Sequence, residues 1–372
     1  MSRHDVAIVG AGIVGLAHAL FAARAGARVV VIDRDAAANG ASIRNFGFVT
    51  VTGQEAGAVW RMARRSAEIW ADIAAPAGIA IEQRGLLLAA QRPEAERVID
   101  AFLATDMGAD CRRLSSTQVA RDWPMLTGVA SALFSPHDLR IESRTAIPAL
   151  AHWMETAHGV TFRRGVQVWT VHPGGVETSH GPVAADRVIV CPGDDGAALF
   201  PTLFADAGIT RCTLQMVRLA GPGWRLPSAV MGDLSMVRYA GYAALPEADA
   251  LHARLIEEPR AAAALADGIH LIVVQGADGS LIVGDSHHYG PSPLPFASAA
   301  VEARILDAYA ALFGAPPPVL ERWTGTYAAA AGHSIVRTPM PDVRLVVVTS
   351  GTGASTAFGL AEQVINDMMG GA

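Results

Sequence analysis

Gly10, Gly12 and Gly15 form a GxGxxG run directly after the apolar stretch 6–9, and Asp33 closes the next apolar stretch. Each position has a mechanical use in holding a dinucleotide. Gly10 permits a tight turn, Gly12 admits a pyrophosphate close to the backbone, and Gly15 lets the helix opened by Ile13 and Val14 pack on its strand. Asp33 can accept hydrogen bonds from ribose hydroxyls, with Arg34 beside it, and the pyrophosphate would rest on free N–H groups at a helix N-terminus. A glycine turn that binds nothing is the plainer alternative, and the glycines do not discriminate between nicotinamide and flavin dinucleotides. Near the other end, Gly351, Gly353, Ala354, Ser355 and Thr356 form a turn between an apolar stretch and a final helix, a second place where negative charge would be stabilised. A Ser/Thr-capped helix without a ligand would look the same. Side chains able to line a substrate pocket are Asn45; His287, His288 and Tyr289 after an apolar stretch; Arg238 with Tyr239 and Tyr242; and Trp323 with Tyr327. Histidines in such a place are otherwise structural or solvated.

These residues need a scaffold, and the pattern supplies one. The opening reads strand 6–9, glycine turn, helix 16–25, strand 27–32, which is one βαβ unit. A glycine-bearing loop, 36–53, precedes an amphipathic helix with Val59, Met62, Ala63, Ile69 and Ile73 on one face. Stretch 79–90 reads as strand, 92–110 as helical, 115–121 as a short capped helix and 147–157 as a helix. Stretches 160–171, 176–179 and 187–191 read as strands. Between 213 and 285 alternation with turn residues fits an antiparallel sheet, with strands at 214–219, 272–275 and 281–284. A strand at 344–348 and a helix at 354–369 close the chain. The fold class is α/β plus α+β: a Rossmann-like nucleotide-binding domain of residues 1–80, 140–212 and 322–372, and a discontinuous antiparallel-sheet domain of residues 81–139 and 213–321.

The loop Gly40-Ala41-Ser42-Ile43-Arg44-Asn45-Phe46-Gly47 after Asp33 resembles the D-amino-acid oxidase, glycine oxidase and sarcosine oxidase superfamily. The resemblance spans nearly the whole chain and implies FAD as cofactor. It implies that Ser42, Arg44 and Asn45 line FAD, that Val168 touches the adenine (an ordinary core valine being the alternative), and that Cys191-Pro192-Gly193 closes the dinucleotide site. It assigns the turn at Gly351 to Thr356 to the flavin. Monomeric sarcosine oxidases attach flavin to a cysteine shortly before the last strand; residues 322–333 contain none, so FAD is expected to be non-covalent. Residues 41–54, Gly284-Asp285-Ser286-His287 and Trp323-Thr324-Gly325-Thr326-Tyr327 are similar to a clade of FAD-dependent oxidoreductases associated with phosphonate catabolism. That similarity implies oxidation of an aminophosphonate, 2-aminoethylphosphonate or an N-methyl or hydroxy derivative, to an aldehyde such as phosphonoacetaldehyde. A D-amino-acid dehydrogenase or a sarcosine- or glycine-oxidase-like enzyme is the alternative reaction, and a flavin-binding non-enzymatic or tRNA-modifying protein the alternative class.

Composition narrows the partners. The chain has 372 residues, 51% hydrophobic and 17% charged, with formal net charge −6, and shows no basic run suited to nucleic acid. Mean hydropathy is positive, yet Arg, Asp, Gly or Pro interrupts every apolar stretch before it reaches spanning length. The polar start leads straight into the first strand, so neither export nor an integral membrane segment is expected, and a cytoplasmic location is. Cys111, Cys191 and Cys212 are widely spaced, without a CxxC or paired histidines, so neither a disulfide framework nor a metal site is expected. The expected partner is a small anionic amine; oligomeric state and electron acceptor stay open.

Overall fold

The computed structural model describes residues 3–370. Two mixed sheets carry the chain. In the first, strand His4–Val9 lies between Val29–Asp33 and Val183–Val190 and runs parallel to both. Val343–Val348 extends the parallel set beyond Val183–Val190, and Thr161–Arg164 extends it beyond Val29–Asp33. The central strands read as near-continuous Val/Ile because helices or further strands cover both faces. The chain leaves His4–Val9 toward one neighbour while the other neighbour arrives much later. The crevice beyond Val9 is therefore the switch point at which such sheets bind ligands.

Helices Ile13–Arg24, Ala58–Ala74 and Gly353–Met369 pack together over this sheet. Gly359 allows the closest approach, since a Cβ there would meet the Met62 carbonyl oxygen at 2.6 Å. Trp70 packs edge-on against Phe358 at 5.0 Å and donates its indole N–H to the Ala354 carbonyl at 2.9 Å. The helix expected at 354–369 is thus present and its N-terminal turn is clamped from behind.

The second sheet contains Ile81–Ala90, Ser131–Ile141, Thr210–Leu219, Ala229–Met231, Ile272–Gln275, Leu281–Gly284, His288–Gly290 and Val319–Ala329. Its pairings are antiparallel except that Ala229–Met231 runs parallel to Ile81–Ala90. The expected antiparallel sheet between 213 and 285 is present, but the stretch also holds helices Glu247–Glu257 and Pro259–Ala266. Strand Ser131–Ile141 escapes a periodicity reading because Ser135-Pro136-His137-Asp138 interrupts it; buried Asp138 there accepts from the Val51 and Thr52 amides at 2.8 and 3.0 Å. The helix expected at 147–157 begins at Ser143, four residues earlier, because the Glu142 carboxylate caps it and Pro148 is tolerated inside. Strand Val319–Ala329 pairs along Thr210–Leu219 within this sheet, and its Ala328 packs into the core of the first sheet.

Candidate active site

A cavity of about 950 Å³ runs from the switch point to the second sheet, the upper end of the range for cofactor sites. Of the residues singled out for cofactor binding, Gly10, Gly12, Ile13, Val14, Gly15, Asp33, Arg34, Ser42, Arg44, Asn45, Val168, Gly193, Gly351, Gly353, Ala354 and Ser355 all line it. Thr356 does not. It is fully buried, donates to the Thr352 carbonyl at 2.9 Å and lies 2.9 Å from His333 Nε2.

The glycine turn has the shape a pyrophosphate requires. Gly10 adopts φ 105°, and a Cβ there would come within 2.3 Å of the Cys191 carbonyl oxygen; one on Gly15 would come within 1.9 Å of the Gly10 oxygen. A Cβ on Gly12 meets nothing of the protein closer than Ser42 Oγ at 3.0 Å, so this glycine leaves its side of the backbone open to the cavity. Ser42 Oγ accepts from the Ile13 amide at 2.9 Å, closing one of the helix's unpaired donors, while the Val14 and Gly15 amides remain in the first turn. Asp33 accepts from the Ala11 amide at 2.6 Å through Oδ2 and from the Asp35 amide at 2.8 Å through Oδ1. Each oxygen keeps a lone pair for a ribose hydroxyl. Arg34 pairs with Asp195 at the cavity rim. These features fit a dinucleotide.

Arg44 and Asn45 reach the wall, but Asn45 spends its amide locally: Nδ2 donates to the Ala41 carbonyl at 2.7 Å, and Oδ1 accepts from the Gly47 amide and Ser143 Oγ. Its contribution is the shape of the loop. At the other turn, Gly351 adopts φ 74° and sits over the Tyr327 ring, which a Cβ would meet at 2.8 Å. The Ser355 and Thr356 amides already bond to Thr352 O. Donation toward the cavity therefore falls to Gly353 and Ala354. Cys191 also lines the cavity; burial pushes its thiol far up, so it is a packing group and not a nucleophile.

The substrate-pocket candidates divide. Arg238, His287, Tyr289, Tyr327 and Asn45 line the cavity. His288, Tyr242 and Trp323 do not. His287, just before strand His288–Gly290, is held against the cavity by the Gly268 carbonyl at 3.0 Å, while His288 is exposed beside Asp267 at 3.3 Å. Tyr242 is buried among the second sheet's core against Phe102 and beneath Gly53. Trp323 donates to the Arg44 carbonyl at 3.2 Å and carries the Arg144 guanidinium on its ring, which ties the loop to the second sheet. Arg238 donates to Tyr289 Oη at 2.9 Å.

Tyr239, expected beside Arg238, also lines the wall, and two residues that sequence reasoning passed over join it: His270 and Asp285. Asp285 lay inside the Gly284-to-His287 segment, but only its histidine drew notice. His270 has no spacing signal. It meets Asp285 because Ile272 pairs with Gly284 across the hairpin of strands Ile272–Gln275 and Leu281–Gly284. His270 Nε2 lies 3.1 Å from Asp285 Oδ1, and His287 Nε2 lies 3.7 Å from Oδ2. His287 Nδ1 lies 3.0 Å from the Gly268 carbonyl, which can only accept, so in the neutral ring the proton sits on Nδ1. Burial holds the His287 pKa down, to about 3. The neighbouring imidazoles and Arg238 outweigh burial at Asp285 and hold its carboxyl below the usual range. With His270 and His287 these form a set with metal-ligand spacing, where the sequence suggested no metal.

No helix among the described residues is long and apolar enough to cross a membrane. A search of curated protein sequences finds no match. The family model described as DAO, FAD dependent oxidoreductase, matches residues 5–366. Solved structures with this fold include glycine oxidase from Bacillus cereus, at 17% identity over 100% of this chain and 96% of that one, with TM-score 0.79. Iminodiacetate oxidase from Chelativorans is similar at 20% identity over 98% and 95%, TM-score 0.71. L-α-glycerophosphate oxidase from Mycoplasma pneumoniae, solved with FAD bound, is similar at 16% identity over 99% and 95%, TM-score 0.76. With a dinucleotide-shaped cavity and a family model matching almost end to end, the chain belongs to the DAO family of FAD-dependent oxidoreductases.

Proposed function

We propose that the enzyme oxidises a small anionic amine, of the 2-aminoethylphosphonate type or an N-methyl or hydroxy derivative, to an aldehyde. The observation that carries this reading is Arg238: its guanidinium lines the same cavity as the glycine turns and offers charge-assisted donors to an anion. FAD, when bound, would accept a hydride from the carbon of the neutral amine, formed once a bound ammonium has released one proton, and water would hydrolyse the resulting iminium to the aldehyde and ammonium. The chain's part is positioning and exclusion of bulk water. Gly10, Gly12, Gly15, Asp33 and Ser42 would hold the dinucleotide, Val168 and Gly193 would border its adenosine half, and Gly351, Gly353 and Ala354 would face the flavin. FAD is held without a covalent bond in this reading, as no cysteine lies in residues 322–333. Residues 1–80, 140–212 and 322–372 serve the cofactor, and 81–139 with 213–321 the substrate.

Oxidation of a carboxylate amine is the second reading. It is favoured by the fold shared with proteins named glycine oxidase and iminodiacetate oxidase. Anaerobic addition of aminophosphonates, N-methyl amines and D-amino acids to the yellow holoenzyme separates the two. Bleaching with the phosphonates supports the first. Bleaching with carboxylate amines alone supports the second, and no bleaching with any amine removes both. Acid precipitation should release all the flavin into the supernatant as FAD; colour retained in the pellet would overturn the non-covalent assignment.

A further inference from the structure

Asp285 is 5% exposed, yet it forms part of the cavity wall. A carboxylate so far from water needs donors or positive charge on its oxygens. Oδ1 has His270 Nε2 3.1 Å away but no well-aligned hydrogen bond. Oδ2 faces His287 Nε2 at 3.7 Å, and in the neutral ring fixed by the Gly268 carbonyl that nitrogen is an acceptor too. Arg238 turns Nη2 to Tyr289. The carboxylate therefore stands at the cavity wall with Oδ1 short of a well-aligned donor and Oδ2 beside an acceptor nitrogen.

We propose that Asp285, flanked by His270 and His287, is the pole of the cavity that receives the protonated amine of the substrate, with Arg238 and Tyr289 forming the pole for its anion. An ammonium group brings two or three N–H donors in a tetrahedral array. The groups electrostatically coupled to Asp285 are His270, His287, Arg238, Tyr239, Tyr327 and Cys212. Burial pushes the Tyr239 and Tyr327 hydroxyls and the Cys212 thiol up, so they stay neutral. Asp285 and Arg238 supply one negative and one positive charge to this wall, the complement of a molecule that carries both an ammonium and an anion. A purely anionic substrate would meet Asp285 as a repulsive neighbour.

This inference rests on the amine reading above, and its test is binding rather than turnover. Chemically reduced holoenzyme, wild type and Asp285→Asn, is titrated by calorimetry with 2-aminoethylphosphonate against 2-hydroxyethylphosphonate, and with glycine against glycolate. In whichever pair binds, the amine should lose affinity about 10- to 100-fold in Asp285→Asn, while the hydroxyl compound binds as before and FAD content is unchanged. If Asp285→Asn does not retain flavin, His287→Gln should lose part of the same preference, about 3- to 10-fold. Equal losses for both members of a pair, no loss, or no binding of any of the four by wild type overturns the proposal. So does stoichiometric zinc, iron or manganese in wild type that disappears in Asp285→Asn, since the same three side chains would then be metal ligands. Retained amine preference without bleaching by any amine would break the redox reading and leave the pole standing.

Discussion

At the switch-point end of the cavity the working surface is backbone. Gly10, Gly12 and Gly15 bring main chain to the cavity, Ser42 and Asp33 pair with the Ile13 and Ala11 amides, and helix Ile13–Arg24 points its free N–H groups inward. At the other end the surface is side chain. Arg238, His270, Asp285, His287, Tyr289 and Tyr327 project from strands and loops of the second sheet. A backbone site recognises what every dinucleotide shares, a pyrophosphate and a ribose, and tolerates almost no change of residue size. A side-chain site recognises charge and shape, and can be re-specified by single substitutions without disturbing the frame.

The comparison is tested most severely at Gly15. A methyl group there would stand 1.9 Å from a backbone oxygen that cannot move without opening the glycine turn. Gly15→Ala should cost about 3 kcal/mol or more of stability, with loss of bound FAD, read by thermal denaturation and by flavin absorbance of the purified protein. Near-normal flavin content and melting temperature would mean that the turn is far more pliable than its packing indicates.

Asp33→Ala tests the same end more gently. It removes the proposed ribose acceptor and the partner of the Ala11 amide, and should weaken FAD binding by about 1.5–3 kcal/mol, measured by titrating apoprotein with FAD. Substrate specificity should not move. An unchanged dissociation constant would take Asp33 out of the cofactor site.

Arg238→Ala asks the opposite question at the opposite end. It should raise KM for an anionic amine about 10- to 100-fold while an uncharged amine of similar size is little affected and flavin content stays constant. A loss shared equally by both amines would show that Arg238 supports the wall through Tyr289 rather than binding an anion.

The two ends also differ in how far they could be read from the sequence. At the glycine-turn end the residues that line the cavity could be picked out almost one by one, because strand, glycine turn, helix and acid follow each other within one contiguous βαβ unit. Thr356 was the exception: one residue past Ser355 on a helix turns a side chain off the cavity and into the core. The substrate end is assembled from segments far apart in the chain, and no local pattern announces the meeting of His270 with Asp285. Nothing local chooses between His287 and His288, since the strand begins only at His288 and His287 is turned to the cavity by the Gly268 carbonyl. Tyr242 and Trp323 look like pocket aromatics in sequence, and the sheet turns them into the core and toward the Arg44 loop. Strand Ser131–Ile141 and helix Ala299–Phe313 were missed for simpler reasons, a Pro-bearing interruption in one and an Ala-rich, weakly patterned face in the other.

The smallest effect concerns His18, which lies in the first helix directly beneath the dinucleotide end. Its ring is fully buried, Nδ1 donates to the Val14 carbonyl at 2.7 Å, and Nε2 has no partner. Desolvation holds its pKa down, to about 4 from the ordinary 6.5, against the weaker opposing pull of the Val14 bond. Because the folded-state pKa is depressed, the unfolded chain binds the proton more readily between pH 6.5 and pH 4. Stability is therefore fully present above pH 6.5 and falls as the pH drops through that window. At pH 5.5 this single group should cost about 1 kcal/mol relative to pH 7.5. His18→Leu should remove that increment from the slope of stability against pH, measured by denaturant unfolding of the apoprotein at several pH values. The substrate-end His287, with its pKa held to about 3, contributes a slope of the same sign, so His18→Leu should flatten the profile only in part. A profile identical to wild type would mean that His18 is reached by water in solution, and that the helix under the glycine turn opens more readily than the turn above it.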